Sequence, residues 1–252
     1  MRKRAYFAVL VAVLALGSVA DAEVVQKGSI RVKFEGELTP KSLPRTGEAP
    51  VHVSVGAGIT ALDGSTPPQL RKISIAINKA GRFSPGVVPT CTVRDIQPST
   101  AQNALRACGP SLVGTGSFAA KILLPQQAPF PSGGKLYAFN GIYEGRPAIL
   151  AHVYGTEPVP TSFTLPFVMT KRKGEFGTVL TASLVDLTGD AGYITGLSLN
   201  LGVGKGAKSY LSAGCPAPAG FGSATFAFAK ATFDFGRTDL VSTLTRNCQV
   251  RR

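Results

Sequence analysis

Nucleophilic hydrolysis needs a Ser or Cys activated by a base, and this 252-residue chain holds two histidines for that task. His152 lies in Ile149-Leu150-Ala151-His152-Val153-Tyr154, aligned with Leu150 and Tyr154 on one face of a predicted strand. A half-buried, hydrogen-bonded imidazole is the plain expectation there. It is also the one position from which a base could serve a hydrolase assembled from distant residues. His52 falls on the polar face of its segment beside Ser54, and is expected to face solvent. No Gly-x-Ser-x-Gly elbow occurs. Glu35 and Glu37 share a face with Arg31 and Lys33, which reads as a surface charge ladder and not as a glycosidase pair. Asp186-Leu187-Thr188-Gly189-Asp190 offers two carboxylates, and Asp186 and Asp190 are the candidate ligands of a calcium-assisted adhesion module. Calcium takes about six to eight oxygens and the stretch lacks EF-hand spacing, so a turn is expected. Gly202 to Ser209 is glycine-rich but does not match the phosphate-loop pattern. No catalytic constellation, cofactor or metal site is expected from these residues.

The chain has four cysteines, which spacing alone pairs in three ways. The sequence-local bridges Cys91–Cys108 and Cys215–Cys248 are the expected ones, closing loops worth roughly 3 and 4 kcal/mol of chain entropy. Disulfides demand an oxidising compartment, and the N-terminus supplies a route to one. Arg2-Lys3-Arg4 form a basic head, Ala5 to Leu16 an apolar run, and Ala20-Asp21-Ala22 a small-x-small end, the layout of a signal peptide over residues 1–22 cleaved after Ala22. The expectation is a secreted or extracytoplasmic protein. Leu43-Pro44-Arg45-Thr46-Gly47 resembles a wall-sorting signal in letters but sits near the mature N-terminus, where it reads as a Pro/Gly turn.

Cleavage would remove three bases and one acid and take the formal charge from +13 to +11. That excess suits anionic envelope polymers or lipid headgroups. Its one tight cluster, Lys171-Arg172-Lys173 before Gly174, reads as a hairpin tip, and no nucleic-acid motif accompanies it. The mature chain has no second apolar run near 18 residues, so no transmembrane segment is expected there.

Period-2 alternation positions all of these residues. Ile30, Val32 and Phe34 alternate with Arg31, Lys33 and Glu35; Val51 to Ile59 and Ile73 to Ile77 repeat the pattern. Further strands are expected through to Thr238–Cys248, with turns at Glu144-Gly145 and Phe235-Gly236-Arg237-Thr238. Phe226 and Phe228 alternate out of phase with Phe233 and Phe235, which predicts a bulge or a strand passing between sheets. Ala101, Ala104, Leu105 and Cys108 fall at helical spacing after Ser99, with Ser99 and Gln102 at capping-box distance and a Gly109-Pro110 stop. The expected fold is all-β, an antiparallel β-sandwich of about a dozen strands with one short helix near 99–108. Residues 23–252 are expected to form a single domain; the alternative is two subdomains, 23–124 and 135–252, joined by the Pro/Gly-rich stretch 125–134. Tyr137, Phe139 and Tyr143 are expected in core packing ahead of a sugar-stacking platform.

Thr66 to Ile73, Gln127 to Pro131, Ala138 to Gly141 and Ser209 to Pro216 together resemble a group of secreted all-β proteins of actinobacterial lineages with no assigned function. The resemblance implies export and carries over no activity, ligand or site. The leading expectation is therefore an exported noncatalytic binding or structural module at the cell envelope. A secreted hydrolase using His152 and a calcium-assisted adhesion module are the alternatives.

Overall fold

The computed structural model describes residues 22–156, 160–184, 192–202 and 209–251. Residues 1–21, most of the expected signal peptide, and both calcium candidates, Asp186 and Asp190, lie outside the described residues, as does 203–208 of the glycine-rich stretch.

The strands follow the alternation. They are β1 (Glu23–Lys27), β2 (Ile30–Thr39), β3 (Ser42–Leu43), β4 (Ala49–Pro50), β5 (His52–Ala61), β6 (Lys72–Asn78), β7 (Gly81–Phe83) and β8 (Leu112–Ile122). After these come β9 (Phe130–Tyr143), β10 (Arg146–Gly155), β11 (Thr161–Lys171) and β12 (Phe176–Ser183). The last four are β13 (Gly192–Leu201), β14 (Leu211–Ala213), β15 (Ser223–Asp234) and β16 (Asp239–Val250). Thirteen form one sheet in the order β1-β2-β5-β13-β8-β9-β10-β11-β12-β6-β15-β16-β3, and β4-β14-β7 form a second, small sheet. Every pairing between these strands is antiparallel except β16 with β3. Phe130–Gly134, expected in the Pro/Gly stretch, run as the start of β9. Strands from the two sides of that stretch interleave: β13 sits between β5 and β8, and β6 between β12 and β15.

The all-β expectation holds, and the two layers of the sandwich are the halves of one continuous sheet curled over a shared core. Curling brings β16 alongside β2, where Arg246 Nε donates to the Gly36 carbonyl at 2.7 Å. A side chain at Gly36 would meet Leu244 Cδ1 at 2.9 Å, so glycine is what allows the approach. Phe34 of β2 and Phe233 of β15 pack edge to face with centroids 5.8 Å apart, tying the halves together. The expected bulge falls in β15, whose register against β16 shifts between Ala227 and Ala229 and leaves Phe228, Phe233 and Phe235 all buried. The β9–β10 turn is Glu144-Gly145, both at positive φ (50° and 73°), the geometry that matches strand twist in a two-residue hairpin.

Both expected disulfides, Cys91–Cys108 and Cys215–Cys248, are formed. The helix expected near 99–108 is α2 (Ala101–Cys108), preceded by a single turn, α1 (Val93–Ile96). Its cap differs by one residue from the sequence reading. Thr100, not Ser99, holds the N-cap, its hydroxyl accepting from Asn103 N at 3.2 Å. The full capping box belongs to α1, between Thr92 and Asp95.

Candidate functional site

Three places in this framework gather the side chains that could bind or react. The first is the interior. Where β5 and β13 face β6, β11 and β12, the side chains fall short of one another and leave an apolar cavity of about 60 Å³. Val53, Val55 and Ala57 line one wall with Leu197 and Leu199; Ile75, Ile77, Phe167 and Leu180 line the other. Gly81–Phe83 of β7 and Leu211–Ala213 of β14 close one end. A smaller void of about 10 Å³ shares Ala57, Ile73 and Leu197 with it and is lined further by Phe118 and Phe233. Val53, Val55, Ala57 and Leu197 are only half-buried despite facing inward. Outside the small sheet, Arg82 pairs with Glu48 at 2.8 Å, and Ser212 donates to the same carboxylate at 2.5 Å.

The second place is His152. Its strand lies mid-sheet, and α1 and α2 cover the outer face beside it through Ile96, Ala104, Phe139, Ala148, Leu150 and the Cys91–Cys108 bridge. The ring is 0% exposed, and neither nitrogen has a hydrogen-bond partner among the described residues. The sequence reading of a half-buried histidine therefore gives way to a fully buried one. Thr164, directly across on β11, also keeps a buried hydroxyl with no partner. Around the pair, Thr164 N donates to Gln97 Oε1 at 2.7 Å and Ser99 N to Ser162 Oγ at 3.0 Å, stapling the segment before α2 onto β11. Burial pushes the His152 pKa below 6.5, against a smaller upward pull from the Ser99 backbone. A general base must reach its substrate, and this ring is 0% exposed.

His152 also belongs to a polar row that the strand registers create. Glu37, Ser54, Asn200, Thr115, Tyr137, His152 and Thr164 stand directly opposite one another across β2, β5, β13, β8, β9, β10 and β11. The outer end is a third place, an open polar cleft lined by Glu37, Thr39, His52, Ser54, Thr115 and Asn200. His52 is exposed there as expected. The carboxylates read as a charge ladder are ion-paired, Glu35 with Lys33 at 2.9 Å and Glu37 with Lys41 at 3.1 Å. Tyr137, Phe139 and Tyr143 pack beneath the helices rather than forming a platform.

Cys91, Asp95 and Cys108 lie close enough to suggest a metal cluster. Both thiols are consumed by the disulfide, and the Asp95 carboxylate accepts from Thr92 N at 2.9 Å and Thr92 Oγ1 at 2.7 Å. These three residues form a structural staple. Sequence reasoning missed the interior cavity; its signal was the run of small residues Val55-Gly56-Ala57-Gly58 in a strand otherwise able to fill a core. No helix among the described residues is long and apolar enough to cross a membrane. Comparison with protein-family models, with curated proteins and with solved structures finds no match for this chain.

Proposed function

We propose that this protein is an exported binding module of the cell envelope, noncatalytic, whose interior takes up the apolar chain of its ligand. The observation that carries the reading is the carbon-lined cavity between β5–β13 and β6–β11–β12. Well-packed cores leave few voids larger than a water molecule, because unfilled walls forfeit dispersion contacts. Here the inward side chains Val53, Val55, Ala57 and Leu197 stay half-buried. An engineered cavity of about 150 Å³ takes benzene. At about 60 Å³ this one is too small for a ring and has room for a few methylenes of a slim chain. Two disulfides fit an oxidising compartment outside the cytoplasm. The formal charge of +13, or +11 once residues 1–22 are removed, favours an anionic headgroup or envelope polymer over a cationic ligand.

A dansylated C11 fatty acid titrated into the purified protein tests the reading. Saturable fluorescence enhancement at one probe per chain, displaced by palmitate, is expected. Ala57→Leu should weaken it at least tenfold by occupying the space. Enhancement that never saturates, or that survives unchanged in Ala57→Leu, would overturn the assignment of the cavity.

A further inference from the structure

The loop between β14 and β15 presents one large apolar side chain to solvent on a rigid base. Phe221 is 65% exposed, more than any other large hydrophobic among the described residues. A flexible tail would explain that exposure trivially, but this loop is held at four points. Phe221 N donates to Pro218 O at 3.2 Å, closing a turn. The Arg45 guanidinium donates to the carbonyls of Ala217, Pro218 and Phe221, the first at 3.1 Å and the last at 2.6 Å. Val250 N donates to Gly222 O at 2.8 Å, and the Cys215–Cys248 disulfide anchors the loop's root to β16.

The surroundings of Phe221 are basic. It shares an open groove with Arg45, Ser42, Ser223 and Gln249, and no carboxylate lines that groove. Arg251 adjoins it, its guanidinium donating to Ser42 O at 3.2 Å. Among the described residues neither Arg45 nor Arg251 has a salt-bridge partner within 4.0 Å, whereas Glu37 is paired with Lys41 and Glu48 with Arg82. The loop also projects from the end of the sheet where β5 and β15 begin and β2, β13 and β16 finish, the end that the small sheet closes over the cavity.

We infer that the Gly214–Gly222 loop is a membrane-docking finger: Phe221 enters the headgroup–acyl boundary of an anionic bilayer while Arg45 and Arg251 meet its phosphates. An aromatic ring is suited to that boundary, and each cation near an anionic surface adds its own attraction. A purely polyanionic partner would use the arginines and leave Phe221 without a role. Docking in this pose turns the closed end of the cavity toward the lipid. The inference goes beyond the proposed ligand and stands or falls separately, because vesicle binding needs nothing inside the cavity.

The chain has no tryptophan, so Phe221→Trp installs a single indole at the tip of the finger. With vesicles of phosphatidylglycerol and phosphatidylcholine, its emission should shift to the blue and be quenched by lipids brominated near the headgroup. Vesicles of phosphatidylcholine alone should leave it unchanged. Phe221→Ser should weaken co-sedimentation with the anionic vesicles about tenfold, equivalent to about 1.4 kcal/mol, with no change in thermal midpoint. Arg251→Gln should weaken it severalfold and reduce its salt dependence. A tryptophan that stays red on anionic vesicles, or wild-type binding by Phe221→Ser, would overturn the inference. So would binding to a soluble acidic polysaccharide as tight as to vesicles, with the indole still exposed.

Discussion

Acidification should single out His152. The folded protein buries this imidazole fully, and burial outweighs the opposing pull of the Ser99 backbone, so its pKa lies below 6.5. The unfolded chain takes up the proton at about pH 6.5. Below that value the unfolded state binds more protons than the folded one, and stability falls with pH; above it the contribution is fully present. The limiting slope is about 1.4 kcal/mol per pH unit. Between pH 7.5 and 5.5 His152 alone should remove at most about 1.4 kcal/mol, the limit for a folded ring that does not titrate, or no more than roughly 3 to 5 °C of Tm for a chain of this size. Urea unfolding of the wild type and of His152→Gln at both pH values isolates the contribution, because glutamine does not titrate and every other group is common to the pair. The gap between the two proteins should shrink on going to pH 5.5, by at most about 1.4 kcal/mol. Curves that stay parallel would refute the reasoning, since they would mean that His152 is protonated equally in both states. Hydrogen exchange should show the loss first in the α1–α2 segment that covers the ring.

Filling the cavity with Ala57→Leu should recover up to about 1.4 kcal/mol, from about 24 cal/mol per Å³ of void, as a raised urea midpoint; destabilisation by more than 1 kcal/mol would show a seam with no room to accept the side chain. Replacing Cys91 and Cys108 together by serine should cost about 3 kcal/mol and speed amide exchange over Val93–Cys108 while leaving β15 and β16 protected. Gly145→Val forces a branched side chain into positive φ and should cost about 1–2 kcal/mol, read as a lower thermal midpoint with unchanged circular dichroism at low temperature.

The local physics of this fold was legible. Ile30 to Glu35 alternate because one face of β2 is buried, and the structure buries Ile30, Val32 and Phe34 while exposing Arg31 and Lys33. The Phe226/Phe233 phase change marked the bulge in β15 because two aromatic pairs cannot share a core from opposite faces of a regular strand. The longer-range features left no such trace. Nothing in Gly192–Leu201 says that β13 pairs with β5 and β8, since partner choice depends on the whole sheet. The sealing of His152 depends on α1, four residues too short to show a helical period, and on Gln97 reaching Thr164 across the fold. The cavity is a mismatch between facing walls, and a sequence shows one wall at a time. Ser99 and Thr100 offer the same hydroxyl one residue apart, so only backbone geometry decides which one caps α2.

The interleaved strand order governs how the chain acquires its fold. β5 and β8 remain unpaired on facing edges until β13, more than 70 residues downstream of β8, arrives to join them. β6 likewise waits for β12 and β15. Because these joins are non-local, loop-closure entropy must be met before the hairpins close into one sheet, which slows folding and leaves open strand edges exposed to neighbouring chains meanwhile. Lys33, Lys121 and Lys135 stand exposed on β2, β8 and β9, charges of the kind that discourage strand edges from pairing with other chains. Slow closure of the sheet would suit the export proposed above, in which the chain crosses a translocation pore before its last strand can join.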